Sequence, residues 1–266
     1  MVKGFTVPRS PLGLAAIDPP PPWYYSGDVL GAEFWADPAA TAALLPEGLT
    51  PDPETNGHAA LMFVDWQFTA SNDEYLDPAR YQYREAFVTI DARWGQMKVN
   101  FCPFIYVDND AAMVRGWTQG FPKQFGSIFQ TRTFAAPSAA MAPVEPGGRF
   151  AGSLSCHGQR LADVKVTLQQ TEPDPTTLFN RPSALLRYFP RLEKDKFDKP
   201  AVNELTLSLT DNQQIVDLWT GAAEISFPDV PNEELSALKP VKVGAGFRYG
   251  LGYSVTDLRI LKDFTI

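Results

Sequence analysis

One lysine stands alone in an apolar stretch of the sequence. Lys123 is the only charged residue within 116–131, where Trp117, Phe121 and Phe125 also lie. Burial among these rings is expected to lower the pKa of the lysine, because desolvation disfavours the ammonium form. A neutral amine attacks a ketone and gives an iminium, an electron sink for decarboxylation or for enamine formation. The alternative is a surface lysine whose charged end reaches solvent.

Glu85 is the candidate for proton transfer beside such an amine. In Tyr83-Arg84-Glu85, strand alternation puts Tyr83 and Glu85 on one face and Arg84 on the other. If that face points inwards, burial raises the pKa of Glu85 and lets it act as a general acid or base. The alternative is an exposed carboxylate paired with Arg84 or Arg80.

The elements that must position these residues are mostly strands. The sequence is divided into short pieces by 24 prolines and 19 glycines, and several pieces alternate apolar and polar residues. Strands are predicted at residues 60–68, 83–92, 97–107, 150–155, 161–169, 202–209, 215–221 and 247–261. Helices are predicted at 38–45, capped by Asp37, and at 110–117, capped by Asp108 or Asp110. The pattern favours a mainly antiparallel barrel or sandwich.

Composition limits the class of protein. A chain of 266 residues with 44% hydrophobic content can bury one large β core, so residues 1–266 are predicted to form a single domain. A net charge of −8 argues against nucleic acid or an anionic membrane as partner. The sequence has neither a secretory signal nor a run of about 18 apolar residues. We predict a cytoplasmic location.

Metal and phosphate sites are not predicted. His58 and His157 are the only histidines, which disfavours a histidine-based metal site or a Ser-His-Asp triad. Cys156 precedes His157, but neighbours in a strand point to opposite faces and can meet only in a turn. Residues 244–250 contain three glycines with the wrong spacing for a dinucleotide loop, and strand-type residues follow.

The segment around Lys123 resembles the signature of a known family. Gly120-Phe121-Pro122-Lys123-Gln124-Phe125-Gly126 is similar to the signature of acetoacetate decarboxylases, in which the lysine after the proline forms the Schiff base. The resemblance covers about residues 20–260. It implies a closed, cone-like antiparallel β-barrel with a few short helices and Lys123 in its interior. It also implies that the protein is a homo-oligomer and uses no cofactor, since the Schiff base forms on Lys123 itself. Further similar segments are 44–49, 104–115 and 217–221.

The sequence departs from the family pattern within the site. Decarboxylases of the family have a second lysine where this chain has Gln124, an arginine where it has Gly27, and a glutamate where it has Met62. The arginine and the glutamate would hold the carboxylate of acetoacetate. The resemblance therefore favours relatives that join pyruvate to an aldehyde by aldol addition and then eliminate water. The insertion at 72–80 also resembles those relatives.

The resemblance gives roles to further residues. Glu85 matches the family's active-site glutamate, and Gln119 is expected to donate to a substrate carboxylate in place of the arginine. Tyr83 or Tyr253 would bind substrate or relay a proton, although Tyr253 reads equally well as an aromatic residue that fills the barrel. Trp117 and Gln124 complete the predicted substrate-binding set.

The predicted function is therefore that of a lyase that forms a Schiff base on Lys123. Its substrates would be pyruvate, or another small keto acid, and an aldehyde. Two alternatives stay open. One is an acetoacetate or β-keto acid decarboxylase of the same fold, and the other is a non-catalytic barrel that binds an apolar small molecule.

Overall fold

The computed structural model describes residues 1–174 and 181–265, which form a mainly β structure with a few short helices. The strands are β1 Trp23–Trp35, β2 Thr50–Pro51, β3 His58–Thr69, β4 Gln82–Trp94, β5 Met97–Val107, β6 Lys123–Phe125, β7 Ser127–Gln130, β8 Arg149–Cys156, β9 Gln159–Thr171, β10 Ser183–Phe189, β11 Val202–Ser226 and β12 Lys242–Asp263. The helices are α1 Pro38–Ala43, α2 Pro78–Tyr81 and α3 Asp110–Gln119, with 3₁₀ turns at Glu74–Leu76 and Leu235–Leu238.

The strands belong to one sheet, and most neighbours are antiparallel. Its order is β10-β5-β4-β3-β1-β12-β11-β9-β8-β7, while β2 pairs with β4 and β6 pairs with β5. Strand β10 pairs with β11 as well as with β5, so the pairings lead around a circuit of strands. The predicted β class with few helices is confirmed. The closed, cone-like shape stays a prediction, which this circuit supports.

Strand alternation separates a cavity from the main core. In β3, Met62 and Trp66 line the cavity, whereas Leu61 and Phe63 point to the opposite face and are fully buried in the core. Strands β7, β8 and β9 cover that opposite face. The core residues that they contribute are Ile128, Leu154, Val164 and Val166.

Several predicted element bounds need correction. The whole of β1 was absent from the prediction, because its two glycines and mixed polar residues hide the alternation. Strand β11 is one strand instead of the two predicted. Asn212 and Asp217 have positive φ and lie at shifts in its register with β12, so the alternation of apolar and polar residues is interrupted there. Helix α3 is capped by Asn109, whose side chain accepts from the N–H of Ala112, while Asp108 accepts from Arg84 instead.

The structure also describes the two cysteines and the lengths of the helices. Both cysteines, Cys102 and Cys156, are buried and free. Among the described residues, no helix is long and apolar enough to cross a membrane. The cytoplasmic location stays a prediction.

Candidate active site

Helix α3 and the turn after it place Lys123. The helix ends at Gly120, whose φ of 110° lies in the left-handed region that glycine adopts without a Cβ penalty. The chain then enters β6, where Lys123 pairs with Ile105 of β5. The lysine side chain runs back across Gly116 in α3. A Cβ at Gly116 would overlap the Lys123 Cδ and lie 2.6 Å from its Cε, so only glycine leaves room for this path.

Lys123 and Glu85 form a buried pair at the cavity wall. The Lys123 Nζ lies 2.6 Å from the Glu85 Oε2, and both side chains are less than one tenth exposed. Trp66 fixes the other carboxylate oxygen, because its Nε1 donates to the Glu85 Oε1 at 3.2 Å. An amine and a carboxylate are thus held together in a site largely shielded from water.

Burial lowers the pKa of Lys123 from its usual value, and this desolvation outweighs the opposing effect of the Glu85 carboxylate. The guanidinium of Arg115 adds to the lowering through like-charge repulsion. Two aromatic rings lie near the amine: the centroid of Tyr83 is 5.5 Å from the Lys123 Nζ and that of Phe121 is 5.8 Å from it. The expected desolvation of the lysine is therefore present, and the charge of Arg115 adds to its effect on the pKa.

A cavity of about 770 Å³ opens onto this pair. Its volume is within the range of about 300–1,000 Å³ that is common for small-molecule sites. The predicted site residues that line it are Tyr83, Glu85, Gln119, Lys123 and Tyr253. Burial raises the pKa of both Tyr83 and Tyr253 well above the usual value, so the two phenols stay protonated and can donate hydrogen bonds.

Gln119 is buried and has donor capacity towards the cavity. Its Nε2 donates to the carbonyl of Arg115 at 3.2 Å. A side-chain amide nitrogen carries two N–H groups, so one donor of Gln119 is left for another acceptor.

Two predicted substrate-binding residues lie outside the cavity lining. In β6, Lys123 is buried but Gln124 is exposed, because successive strand residues point to opposite sides. Trp117 is 43% exposed, and its Nε1 donates to the carbonyl of Lys123 at 2.9 Å, so it supports the lysine backbone. Phe125 is 60% exposed, and it does not enclose the amine as the sequence led us to expect.

The two other departures from the family pattern have a structural account. A Cβ at Gly27 would lie 2.5 Å from the carbonyl oxygen of Asp65 and 2.6 Å from the Trp66 ring, so an arginine does not fit there with Trp66 in place. Met62 lines the cavity as an apolar residue. Trp66 thus takes space that a longer residue at position 27 would need, and it donates to Glu85 from there.

Trp66, Tyr25 and Arg115 also belong to the site, although the sequence patterns did not predict them. Tyr25 lines the cavity and stacks on Tyr253 with ring centroids 4.9 Å apart. Arg115 is almost fully buried and pairs with Asp18 at 2.5 Å, while its guanidinium lies 3.8 Å from the ring centroid of Phe68. A lone arginine among apolar residues was a usable signal for Arg115, whereas Trp66 and Tyr25 required the strand register.

A charged cluster lies at another part of the cavity. His58 contacts Asp91 through Nδ1 at 3.0 Å and Glu33 through Nε2 at 3.1 Å. Arg181 also contacts Asp91 at 3.2 Å. Burial opposes the charged imidazole, but the hydrogen bonds to the two carboxylates prevail and raise the pKa of His58 to about 9.

Comparison with known proteins identifies the family. The pattern of the family described as acetoacetate decarboxylase matches residues 6–264. The chain belongs to the acetoacetate decarboxylase family. Members of this family work through a lysine Schiff base without a metal or an organic cofactor, in agreement with the predicted absence of a cofactor. No curated protein sequence matches the chain.

Solved structures of acetoacetate decarboxylase-like enzymes are similar to this chain. The enduracididine biosynthesis enzyme MppR, complexed with the condensation product of pyruvate and imidazole 4-carboxaldehyde, is 34% identical, with a TM-score of 0.92 over 99% of this chain and 98% of that one. MppR complexed with pyruvate has a TM-score of 0.90 at the same identity and covers 99% of each chain. An acetoacetate decarboxylase-like enzyme from Sphingomonas wittichii RW1 is 25% identical, with a TM-score of 0.89 over 98% of this chain and 100% of its own.

Proposed function

We propose that this protein is a lyase that forms a Schiff base between Lys123 and pyruvate, or another small 2-keto acid, and condenses it with an aldehyde. The observation that carries the proposal is the buried contact of 2.6 Å between the Lys123 Nζ and the Glu85 Oε2 in the cavity wall. The similarity to MppR in complex with pyruvate and with a pyruvate–aldehyde condensation product supports this choice of substrates.

The first half of the reaction makes an enamine. The neutral amine of Lys123 attacks C2 of pyruvate, and the carbinolamine loses water to give an iminium. Glu85 then takes a proton from the methyl carbon, and the electron pair moves towards the iminium nitrogen. The free N–H of Gln119 binds the pyruvate carboxylate, since a neutral donor is sufficient to orient it.

The second half joins the aldehyde and removes water. The enamine carbon attacks the aldehyde carbon, and the aldehyde oxygen takes a proton from a phenol, for which Tyr83 and Tyr253 are candidates. The protonated Glu85 returns its proton to the phenolate and is again a carboxylate. Glu85 then removes the second proton from the former methyl carbon and passes it to the hydroxyl, which leaves as water. Hydrolysis of the conjugated iminium releases the product and regenerates the amine of Lys123.

Decarboxylation of acetoacetate is the second candidate function, because the chain shares the family's lysine and glutamate. The cavity argues against it. Gly27 and Met62 supply no charged group for the β-keto acid carboxylate, and the buried Arg115 is paired with Asp18. A non-catalytic binding barrel is the third candidate, and it requires no contact between an amine and a carboxylate.

Product analysis separates the three functions. We expect the protein with pyruvate and imidazole 4-carboxaldehyde to form a dehydrated condensation product, detected by mass spectrometry, and to release little carbon dioxide from acetoacetate. Bovine serum albumin at equal lysine concentration serves as the amine control. Carbon dioxide release far above that control, without condensation, would support the decarboxylase, and neither product would support the binding barrel.

The remaining predictions describe the protein around this site. We propose that residues 1–266 form one domain and that the protein is a cytoplasmic homo-oligomer with small-molecule substrates and no nucleic acid or membrane partner. Light scattering at micromolar concentration tests the oligomer, and a strictly monomeric species would contradict it.

A further inference from the structure

We propose that Cys156, His157 and Glu233 bind one divalent cation of the zinc class. One ligand atom from each of the three side chains lies within 4.8 Å of the others. Thiolate, imidazole and carboxylate are the three ligand types that Zn²⁺ takes in proteins. None of the three residues lines the catalytic cavity, so this site is separate from the one described above.

The separations between the ligand atoms suit a tetrahedral ion. Usual Zn–S, Zn–N and Zn–O bond lengths place neighbouring ligand atoms roughly 3.4–3.6 Å apart in a tetrahedron. The Cys156 Sγ lies 3.4 Å from the His157 Nδ1, and that nitrogen lies 3.5 Å from the Glu233 Oε1. These two distances match those of a tetrahedral zinc site, and the third pair of ligand atoms lies within 4.8 Å.

A tight turn brings the cysteine and the histidine together. His157 and Gly158 connect β8 to β9 and have φ values of 48° and 76°. This two-residue loop turns the His157 side chain towards the sulfur of Cys156, which regular strand alternation would prevent. Asn-Gly fits such a turn at least as well as His-Gly. The fold therefore does not require a histidine here.

The surroundings support the ligands and leave a path for the ion. The Tyr106 hydroxyl donates to the second Glu233 oxygen, Oε2, at 3.3 Å, as an outer partner of a metal-binding carboxylate does. The Cys156 thiol is buried and donates to the carbonyl of Phe125. The His157 side chain is 77% exposed, so an ion and a fourth ligand from solvent can reach the site from that side.

Binding has a defined proton balance. The thiol of Cys156 loses its proton to the buffer, and the sulfur becomes a thiolate ligand. His157 would coordinate through Nδ1 and Glu233 through Oε1. Binding is therefore expected to release the thiol proton and to weaken as the pH is lowered.

The test is titration of the untagged, chelator-treated full chain with Zn²⁺ by calorimetry, and with Co²⁺ by absorption. We expect one ion per chain, and a thiolate-to-cobalt charge-transfer band that identifies sulfur as a ligand. Cys156→Ala should abolish the band, and Cys156→Ala, Glu233→Gln and His157→Asn should each weaken Zn²⁺ binding by at least about tenfold. Asparagine is chosen because it tolerates the positive φ of position 157. Tyr106→Phe should weaken binding by about 10- to 100-fold as an outer-shell change.

The chain supplies matched controls, since it has only two cysteines and two histidines. Cys102→Ala and His58→Gln remove the other member of each pair and should leave both titrations unchanged. Three results would overturn the proposal: no binding at 100-fold molar excess of Zn²⁺, a cobalt band that survives Cys156→Ala, or equal loss of binding in the control variants. Circular dichroism of each variant separates loss of ligands from loss of fold.

Discussion

Replacement of Gly116 by alanine tests whether the path of the Lys123 side chain controls the chemistry. An added methyl group would lie 2.6 Å from the Lys123 Cε and closer still to its Cδ, so the lysine side chain must move. The open cavity lets it move without displacing backbone. The amine then leaves its position 2.6 Å from the Glu85 Oε2. A misplacement of about 1 Å at a reacting group can cost about 10²-fold in rate.

The same substitution should have little effect on stability. Overpacking costs about 1–3 kcal/mol in a closed core, and here the lysine can escape into the cavity, which places the cost at the low end. Alanine in place of glycine inside α3 stabilises the helix by about 1 kcal/mol, because alanine has the higher helix propensity. The two contributions nearly cancel. We therefore expect Gly116→Ala to unfold at nearly the wild-type urea concentration while its activity falls about 100-fold.

The assay is the rate of borohydride-trapped adduct formation with pyruvate across pH 6 to 10, measured by intact mass. Gly252→Ala is the matched control, because a Cβ there has only the Tyr25 carbonyl oxygen within 4 Å, at an ordinary distance of 3.7 Å. The control should trap pyruvate at the wild-type rate. A Gly116→Ala protein with a wild-type rate and pH profile would show that the lysine does not depend on this path.

Three further predictions concern the charged groups. Because the pKa of His58 is raised to about 9, its ion pairs contribute stability that is fully present below pH 6.5 and is lost as the pH rises through 9. Urea unfolding should show that the free energy of unfolding of the wild type falls by up to roughly 3 kcal/mol between pH 6 and pH 9.5. The His58→Gln variant should not show this fall. Arg115→Met leaves Asp18 buried without its partner, so it should lower the free energy of unfolding by about 3–5 kcal/mol. It also removes a cation that acts on Lys123, so the pKa of Lys123, measured from the pH dependence of adduct trapping, should rise. An unchanged pH dependence would refute that electrostatic role. Glu85→Gln should still form the pyruvate adduct but should condense it with the aldehyde about 10²- to 10⁴-fold more slowly, since an amide does not exchange protons as a carboxylate does. Wild-type turnover in this variant would exclude Glu85 as the base.

The central part of the site was predictable from local sequence features. Lys123 is the only charged residue of its segment, and strand alternation around Glu85 put the carboxylate on the same face as Tyr83. Those two signals, with the family resemblance, were enough to expect an amine and a carboxylate in one cavity. They did not require knowledge of which strands pair.

The surrounding residues depend on long-range pairing that local patterns do not reveal. In the pairing of β1 with β3, Gly27 lies opposite Trp66, and the glycine leaves room for the indole that donates to Glu85. This arrangement is set by the strand register. Gln124 and Trp117 were expected near substrate, but the side that each presents depends on the orientation of β6 and α3. Arg115 is a lone arginine among apolar residues, which indicates burial, but its contact with Phe68 depends on the fold.

The turn after β8 shows a similar limit on local reasoning. Cys156 and His157 were expected to meet only in a turn, and local patterns did not place a turn at this point. A positive φ at His157 ends the alternation at that residue. Glu233, which completes the cluster, is distant in sequence, so only the fold brings it there.

The most direct measurement is the position of the pyruvate adduct. The protein is incubated with pyruvate, reduced with borohydride, digested and mapped by tandem mass spectrometry, alongside Lys123→Arg, Lys98→Arg and Lys165→Arg. Arginine keeps the positive charge but does not lose a proton near neutral pH, so it offers no lone pair to a carbonyl. We expect one adduct on Lys123 in the wild type and in the Lys98 and Lys165 variants, and neither adduct nor turnover in a folded Lys123→Arg protein. An adduct mapped to another lysine, or substantial turnover by Lys123→Arg, would contradict the proposed mechanism.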